Sequence, residues 1–73
     1  MKNHKLIAAR KAKKLTQEQV AEILKVANKS VVSNWENGNC KPRIDHAFQL
    51  STLYNKTVDY LFGDEMNRNY VNQ

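Results

Sequence analysis

Glycine and proline, the residues that most often interrupt helices, occupy only three positions in this chain: Gly38, Pro42 and Gly63. The segments between them are rich in residues that favour helix. A length of 73 residues allows one domain and leaves no room for a separate catalytic domain. The sequence therefore predicts one compact, all-α domain built from short helices.

Capping residues indicate where these helices begin. Thr16 and Gln19 are spaced as the two halves of a capping box, in which each side chain bonds to a backbone amide of the other residue. Asn3, Asn28 and Thr57 are three further residues of the type that caps helix N-termini.

Two glycines follow helical segments and are predicted to end them. Gly38 is placed to end the third helix with a positive φ, and Gly63 to end the fifth. Together these signals predict helices over residues 3 to about 14, 17–24, 29–36, 44–54 and 58–62.

The third and fourth predicted helices differ in their apolar patterns. Val32 and Trp35 lie three residues apart and are predicted to anchor the third helix in the core. Trp35 could instead stack on single-stranded nucleic acid, but its phase with Val32 favours the core. The fourth helix has apolar residues at 44, 47, 48, 50, 53 and 54, a wide face suited to packing on two sides.

Net charge points to a polyanionic partner. The chain carries +5 with a pI near 9.6. Residues 1–43 carry +7 and residues 44–73 carry −2, which indicates one DNA-facing surface and one surface with another role.

Enzyme chemistry has no support in the sequence. There is no phosphate loop, metal-ligand cluster or nucleophile–base pair, and His4 and His46 have no obvious partners. Cys40 is the only cysteine and is predicted to lie in an exposed loop. We expect no cofactor, no metal and no small-molecule ligand.

The cellular location follows from two missing signals. No stretch approaches the roughly 20 apolar residues of a membrane span, and the apolar run after the basic N-terminus is too short for a signal peptide. We expect a cytoplasmic protein that makes no membrane contact.

Residues 17–36 have the pattern of a helix-turn-helix, in which two short helices are joined by a tight turn. A hairpin of two bundle helices has the same pattern. The polar face of the second helix favours DNA, because Lys hydrogen-bonds guanine, Asn hydrogen-bonds adenine, and Ser bonds to either. The candidate side chains are Lys29, Ser30, Ser33 and Asn34.

Five segments together carry a specific similarity. They are LTQEQVAEIL (15–24), SNWENG (33–38), KP (41–42), AFQL (47–50) and YNKTVDYLFG (54–63). In this order and spacing the chain resembles the Cro/C1-type (XRE) helix-turn-helix family over roughly residues 5–63. The resemblance implies a five-helix fold of the lambda-repressor-like type that binds a pseudo-palindromic double-stranded DNA operator as a homodimer.

The resemblance also implies roles for individual side chains. Arg10 and Glu36 match an ion pair between the first helix and the end of the third, and Gln17 matches a glutamine that binds phosphate and braces the recognition helix. The implied base contacts are Lys29, Ser30, Ser33 and Asn34, with Val31 a candidate contact for a thymine methyl group. The implied phosphate contacts are Gln17, Asn37, Lys41 and Arg43, and Lys11 is a further candidate.

The turn between the second and third helices departs from the family pattern. It contains no glycine and is one residue longer than usual, within residues 25–28. Either Val26 or Ala27 fills the core there, and the tilt of the recognition helix over residues 29–36 depends on which.

The family and function leave some alternatives open. The same fold occurs in antitoxins and in interaction modules of the anti-repressor type, but the latter are expected to carry an acidic or apolar third helix. We expect a bacterial or phage transcriptional regulator, acting as a repressor, with residues 1–63 as its DNA-binding domain. Residues 64–73 are predicted to be a frayed tail, or to add Tyr70 and Val71 to a dimer contact at the corner between helices four and five.

Overall fold

The computed structural model describes residues 2–63, which form five helices and no strand. The helices are α1 (His4–Ala12), α2 (Gln17–Leu24), α3 (Lys29–Asn37), α4 (Ile44–Tyr54) and α5 (residues 58–63). The predicted all-α, five-helix fold is confirmed.

The helices begin at the residues predicted to cap them. Asn3 accepts a hydrogen bond from the Leu6 amide at 3.0 Å. Thr16 and Gln19 form the reciprocal capping box that closes the first turn of α2. Asn28 caps α3 by accepting from the Ser30 amide at 3.0 Å, and the Thr57 hydroxyl accepts from the Tyr60 amide at 2.9 Å.

The helix ends differ from the predictions in two places. The prediction that α1 reaches about residue 14 is wrong, because the helix ends at Ala12 and Lys14 turns the chain with a φ of 59°. The prediction that Gly63 ends α5 is also wrong, because residue 63 is still helical and has no positive φ. A Cβ there would lie 2.9 Å from Asp59 Oδ1, which is the end of an exposed side chain that can move aside. Gly38 does end α3, with a φ of 79°.

One apolar core joins all five helices. Its buried members include Trp35 and Val32 of α3, which are 4% and 1% exposed. Burial of such side chains is the main favourable term in the folding of a domain this small. The other buried apolar residues are Leu6, Ala9, Val20, Ala21, Leu24, Ala47, Leu50, Tyr54, Leu61 and Phe62.

Helix α4 is packed on only one side by residues 2–63. Ala47, Leu50 and Tyr54 are buried, whereas Ile44 and Phe48 expose 54% and 59% of their surface. The sequence pattern predicted packing on two sides. The described part of the chain therefore leaves the second side of α4 uncovered.

Candidate nucleic-acid interface

A buried ion pair holds α3 against α1. Arg10 Nε donates to Glu36 Oε2 at 2.7 Å and Arg10 Nη2 donates to Glu36 Oε1 at 3.3 Å. Arg10 Nη1 also donates to the Leu15 carbonyl at 2.8 Å. The two side chains are only 12% and 3% exposed, so water screens the pair far less than an ion pair on the surface. This fork geometry fixes the last turn of α3 relative to α1.

Gln17 connects the same carboxylate to the start of α2. Its Nε2 donates to Glu36 Oε1 at 2.9 Å, so Glu36 joins α1, α2 and α3 at one point. A primary amide has two N–H donors, and one remains after this bond. Gln17 is half-buried at the first position of α2, where backbone amides and the helix dipole favour an anion.

The outward side of α3 is polar. Lys29, Ser30 and Asn34 are exposed, while Val32 and Trp35 of the same two turns are buried. The helix therefore presents side chains able to contact base edges while its other side is fixed in the core.

The other two candidate base contacts are partly covered. Ser33 is half-buried, and its Oγ accepts from Asn37 Nδ2 at 3.3 Å. Val31 is half-buried and packs against the core, so only part of its side chain faces outward. Of the five base contacts predicted from the sequence, only Lys29, Ser30 and Asn34 are therefore exposed.

Lys25 takes the place of a glycine in the turn before α3. It adopts a left-handed conformation, with φ 60° and ψ 37°, and its amide bonds to the Glu22 carbonyl. Val26 is half-buried and packs against the core, whereas Ala27 is exposed. Val26 is therefore the residue that fills the core, and the chain turns without glycine at the cost of one strained lysine.

The candidate phosphate contacts lie on the surface beside α3. Asn37 ends α3, and Lys41 and Arg43 flank the buried Pro42 in the loop that follows. The buried ring holds this short loop while both cationic side chains face solvent. Lys11 is exposed on α1.

Sequence reasoning missed three features of this site. Asn3 was predicted only as a helix cap. Its backbone N–H also donates to the Glu36 carbonyl at 2.8 Å, and its side-chain Nδ2 donates to the Leu61 carbonyl at 2.7 Å. Asn39 Nδ2 donates to Asn34 Oδ1 at 3.3 Å and orients that side chain. The one signal in the sequence was the residue type, because an asparagine side chain can both donate and accept hydrogen bonds.

Tyr54 is the third. It is 2% exposed, and no hydrogen-bond partner for its hydroxyl exists among residues 2–63. Burial raises the pKa of this hydroxyl above its usual range, the nearby Glu36 carboxylate raises it further, and Arg10 lowers it. Its position near the Arg10–Glu36 pair follows from the tertiary fold alone.

The structure adds three observations that bear on other functions. Within residues 2–63, no group of three or more His, Cys, Asp or Glu side chains is placed to hold a metal ion. No helix in the same part of the chain is both long and apolar enough to cross a membrane. Cys40 is a free, exposed thiol.

Several known proteins are similar to this chain. It is 38% identical over 63 residues to the HTH-type transcriptional activator BcrR of Enterococcus faecalis, covering 86% of this chain and 30% of that protein. It is 44% identical over 54 residues to the uncharacterized HTH-type transcriptional regulator YobD of Bacillus subtilis, covering 74% and 47%. It is 38% identical over 65 residues to the HTH-type transcriptional regulator ImmR of Bacillus subtilis, covering 88% and 50%.

These relatives are longer, and the chain spans half of their length or less. No solved structure gives a significant match. Residues 6–61 match the helix-turn-helix family, and this region contains the Arg10–Glu36 pair, the α2–α3 turn and the polar side of α3. The chain belongs to the Cro/C1-type (XRE) helix-turn-helix family of DNA-binding transcriptional regulators.

Proposed function

We propose that the chain is a bacterial or phage repressor that binds a specific double-stranded DNA operator as a dimer, with α3 in the major groove. The observation that carries this proposal is the contrast on α3 between buried Val32, Trp35 and Glu36 and exposed Lys29, Ser30 and Asn34. A helix fixed on one side and polar on the other can enter a groove without losing its own packing.

The base contacts follow from side-chain chemistry. Lys29 bonds guanine, Asn34 forms a bidentate pair with adenine, and Ser30 bonds to either. Ser33 and Val31 lie deeper, and contribute at the edge of the contact through the hydroxyl and through a thymine methyl group. Asn34 is the best oriented of the set, because Asn39 already bonds its Oδ1.

Phosphate contacts position this helix. One N–H of the Gln17 side-chain amide bonds to Glu36, and the other bonds to a DNA phosphate. Gln17 therefore couples the contact with the DNA backbone to the placement of the recognition helix. Lys41, Arg43 and Asn37 contact the other strand from the loop after α3, and Lys11 adds charge from α1. These contacts bind all sequences alike.

Repression requires only that the operator be occupied, which a DNA-binding face achieves by itself. A dimer places two such faces on two half-sites about 34 Å apart, which is one turn of B-DNA. Each chain then contributes the same contacts to one half of a pseudo-palindromic site.

Selection of binding sites from a random double-stranded DNA pool tests the proposal. The expected result is one enriched sequence with two inverted half-sites centred about one helical turn apart. A reporter carrying that sequence over its promoter should be silenced by the chain. Failure to enrich any sequence at low salt would contradict DNA binding and favour an interaction module.

The electrostatic part has its own measurement. The logarithm of the binding constant should fall linearly with the logarithm of salt concentration, and Lys41→Gln should reduce the slope by about one per protomer while weakening all sequences equally. Lys13→Gln is the matched control, because Lys13 is exposed at the end of α1 and is not among the proposed contacts. A slope unchanged by Lys41→Gln would remove this residue from the phosphate set.

A further inference from the structure

The last turn of α3 contains a side-chain hydrogen bond on the outward side of the helix. Asn37 Nδ2 donates to Ser33 Oγ at 3.3 Å. Because α3 extends to Asn37, the two residues are four apart on one helix, where neighbouring side chains meet. Asn37 is exposed and Ser33 is half-buried. The helix backbone therefore holds the amide beside a hydroxyl that is a candidate base contact.

We propose that Asn37 determines which base edges Ser33 recognises, by making the Ser33 hydroxyl a hydrogen-bond donor toward the DNA. This role rests on the DNA binding of the proposed function, and it adds specificity to a residue assigned there only to phosphate. The bases selected are those that present an acceptor in the major groove.

The bond settles how the Ser33 hydroxyl is used. A serine hydroxyl has one hydrogen and two lone pairs, and it rotates to suit its partners. Here the Ser33 oxygen accepts the Asn37 N–H, so the hydroxyl hydrogen turns away from the amide and is left to donate. Guanine N7 and O6, adenine N7 and thymine O4 accept such a hydrogen, whereas the cytosine amino group only donates. Ser33 should therefore discriminate against cytosine at the position that it contacts.

No charged acceptor on α3 competes for this hydrogen. Glu36 is the only acidic residue of the helix, and it is 2% exposed. Both of its carboxylate oxygens already accept from Arg10 or Gln17. The Ser33 hydrogen is therefore not taken by a carboxylate of its own helix.

The proposed phosphate contact favours the same orientation of the Asn37 amide. Its nitrogen has two N–H donors, of which one bonds to Ser33 and the second is left for a phosphate. Because a phosphate oxygen accepts, it attracts the Nδ2 end of the amide and not the Oδ1 end. Contact with the DNA backbone therefore holds the amide in the orientation that makes Ser33 a donor.

Asn39 offers a matched control. Its Nδ2 donates to Asn34 Oδ1, also at 3.3 Å, and like Asn37 it is exposed. Asn39→Ala removes an amide donor from a different base contact. Any general effect of losing an asparagine from this region is thus present in Asn39→Ala, without a change at Ser33.

Base-preference profiles of wild type, Ser33→Ala and Asn37→Ala, measured at one salt concentration, test this role. Ser33→Ala identifies the symmetric pair of positions that the hydroxyl contacts. Wild type should discriminate against cytosine there by about fivefold, the size of one net hydrogen bond. Asn37→Ala should reduce this to less than about twofold, because the freed hydroxyl can rotate and accept from the cytosine amino group. Asn39→Ala should leave the preference at these positions unchanged.

Asn37→Asp should change the sign of the preference. A carboxylate only accepts, so it takes the Ser33 hydrogen and leaves the serine oxygen to accept from the DNA. The preference at the same positions should move toward bases with an amino group, which are cytosine and adenine. Affinity should fall for all sequences, because the carboxylate also repels phosphate. A purely structural role for Asn37 predicts no such reversal.

Three results would overturn this role of Asn37. An unchanged profile in Asn37→Ala, with a uniform loss of affinity, would limit the residue to phosphate contact. A Ser33→Ala profile that changes at no position would mean that the hydroxyl contacts no base. Equal relaxation at the Ser33 positions in Asn39→Ala would mean that the effect comes from the end of α3 as a whole. Circular dichroism melts confirm that each variant is folded.

The same measurements separate this inference from the proposed function. If wild type enriches an operator and both Asn37 variants keep its profile, the DNA function stands and the role of Asn37 is wrong. If wild type enriches no sequence at low salt, the DNA function itself is wrong and Ser33 has no base to contact. A double variant, Ser33→Ala with Asn37→Ala, should have the base preferences of Ser33→Ala alone, since Asn37 acts on them only through the hydroxyl. Further relaxation in the double variant would contradict that dependence.

Discussion

The two sides of α3 belong to the same nine residues but differ in burial, bonding and charge. On the inward side, Val32, Trp35 and Glu36 are at most 4% exposed. On the outward side, Lys29 and Asn34 are exposed, and their contacts within the chain are few. The inward side should determine stability and the outward side should determine binding. Substitutions on the two sides should therefore have effects that do not overlap.

Trp35→Ala should have the largest effect on stability. Removing a ring that is 4% exposed leaves a cavity in a small core and should cost about 3–5 kcal/mol. A domain of this size has little stability in reserve, so the variant should be largely unfolded at 37 °C. Urea unfolding followed by circular dichroism measures this, since the only tryptophan is lost as a probe.

The alternative for Trp35 predicts the opposite pattern. If the ring stacked on nucleic acid, Trp35→Ala would melt normally and lose only binding. That result would also break the comparison between the two sides of α3.

Glu36→Ala should be the next most damaging change. It leaves the Arg10 guanidinium buried without its carboxylate and frees the Gln17 amide, and should cost about 3 kcal/mol. Arg10→Met with Glu36→Leu should cost less than Glu36→Ala, because the double variant leaves no unpaired charge. A double-mutant cycle of Arg10→Met and Glu36→Leu, followed by urea unfolding, measures the coupling energy between the two side chains. Additive effects on the free energy of unfolding would mean that the pair contributes nothing.

Tyr54→Phe should be neutral or stabilising by up to about 1 kcal/mol near pH 7, because it removes a buried hydroxyl that has no partner among residues 2–63. The raised pKa of Tyr54 adds a pH dependence. The unfolded hydroxyl ionises near pH 10, while the folded one stays protonated. Wild type should therefore lose stability as pH rises above about 10, and Tyr54→Phe should lose less. Urea midpoints at pH 8 and pH 10.5 test this, and equal losses in both proteins would contradict it.

Lys25→Gly tests the turn that sets the direction of the outward side. A non-glycine residue in the left-handed region pays about 1 kcal/mol, and glycine removes that cost while adding entropy to the unfolded chain. A net gain of up to about 0.5 kcal/mol is expected. Lys25→Ala is the control: it keeps the Cβ and should bring no gain. A loss in Lys25→Gly would show that the lysine side chain itself stabilises the turn.

Local signals made much of this fold predictable. The caps at Asn3, Thr16 and Asn28 each bond to an amide two or three residues away, so their sequence neighbours were sufficient to identify them. The φ of Gly38 likewise follows from the helix that it ends. The Arg10–Glu36 pair spans 26 residues and was available only through the family resemblance.

Other features depend on contacts that a single sequence does not encode locally. The Asn3 side chain bonds to Leu61, 58 residues away. Val26 rather than Ala27 fills the core because Lys25 accepts a strained backbone, and no local propensity favours lysine there. The uncovered side of α4 was misjudged, because its apolar pattern does not say which chain covers it.

Asn34→Ala should have the smallest effect on stability and the most specific effect on function. Asn34 is exposed and its side chain makes one long hydrogen bond, at 3.3 Å from Asn39. Its loss should therefore change the free energy of unfolding by no more than about 0.5 kcal/mol. Specific binding should weaken by about 1–3 kcal/mol if the amide contacts an adenine, while non-specific binding through phosphates should stay the same.

Asn39→Ala is the matched control, because it removes the same hydrogen bond and leaves the Asn34 amide in place. The measurement is a base-preference profile of wild type and both variants at one salt concentration. Relaxed preference at one symmetric pair of positions in Asn34→Ala, and only a minor change in Asn39→Ala, is the expected outcome. An unchanged profile with unchanged affinity in Asn34→Ala would mean that the outward side of α3 does not contact bases at this position, and the division of roles between its two sides would have to be redrawn.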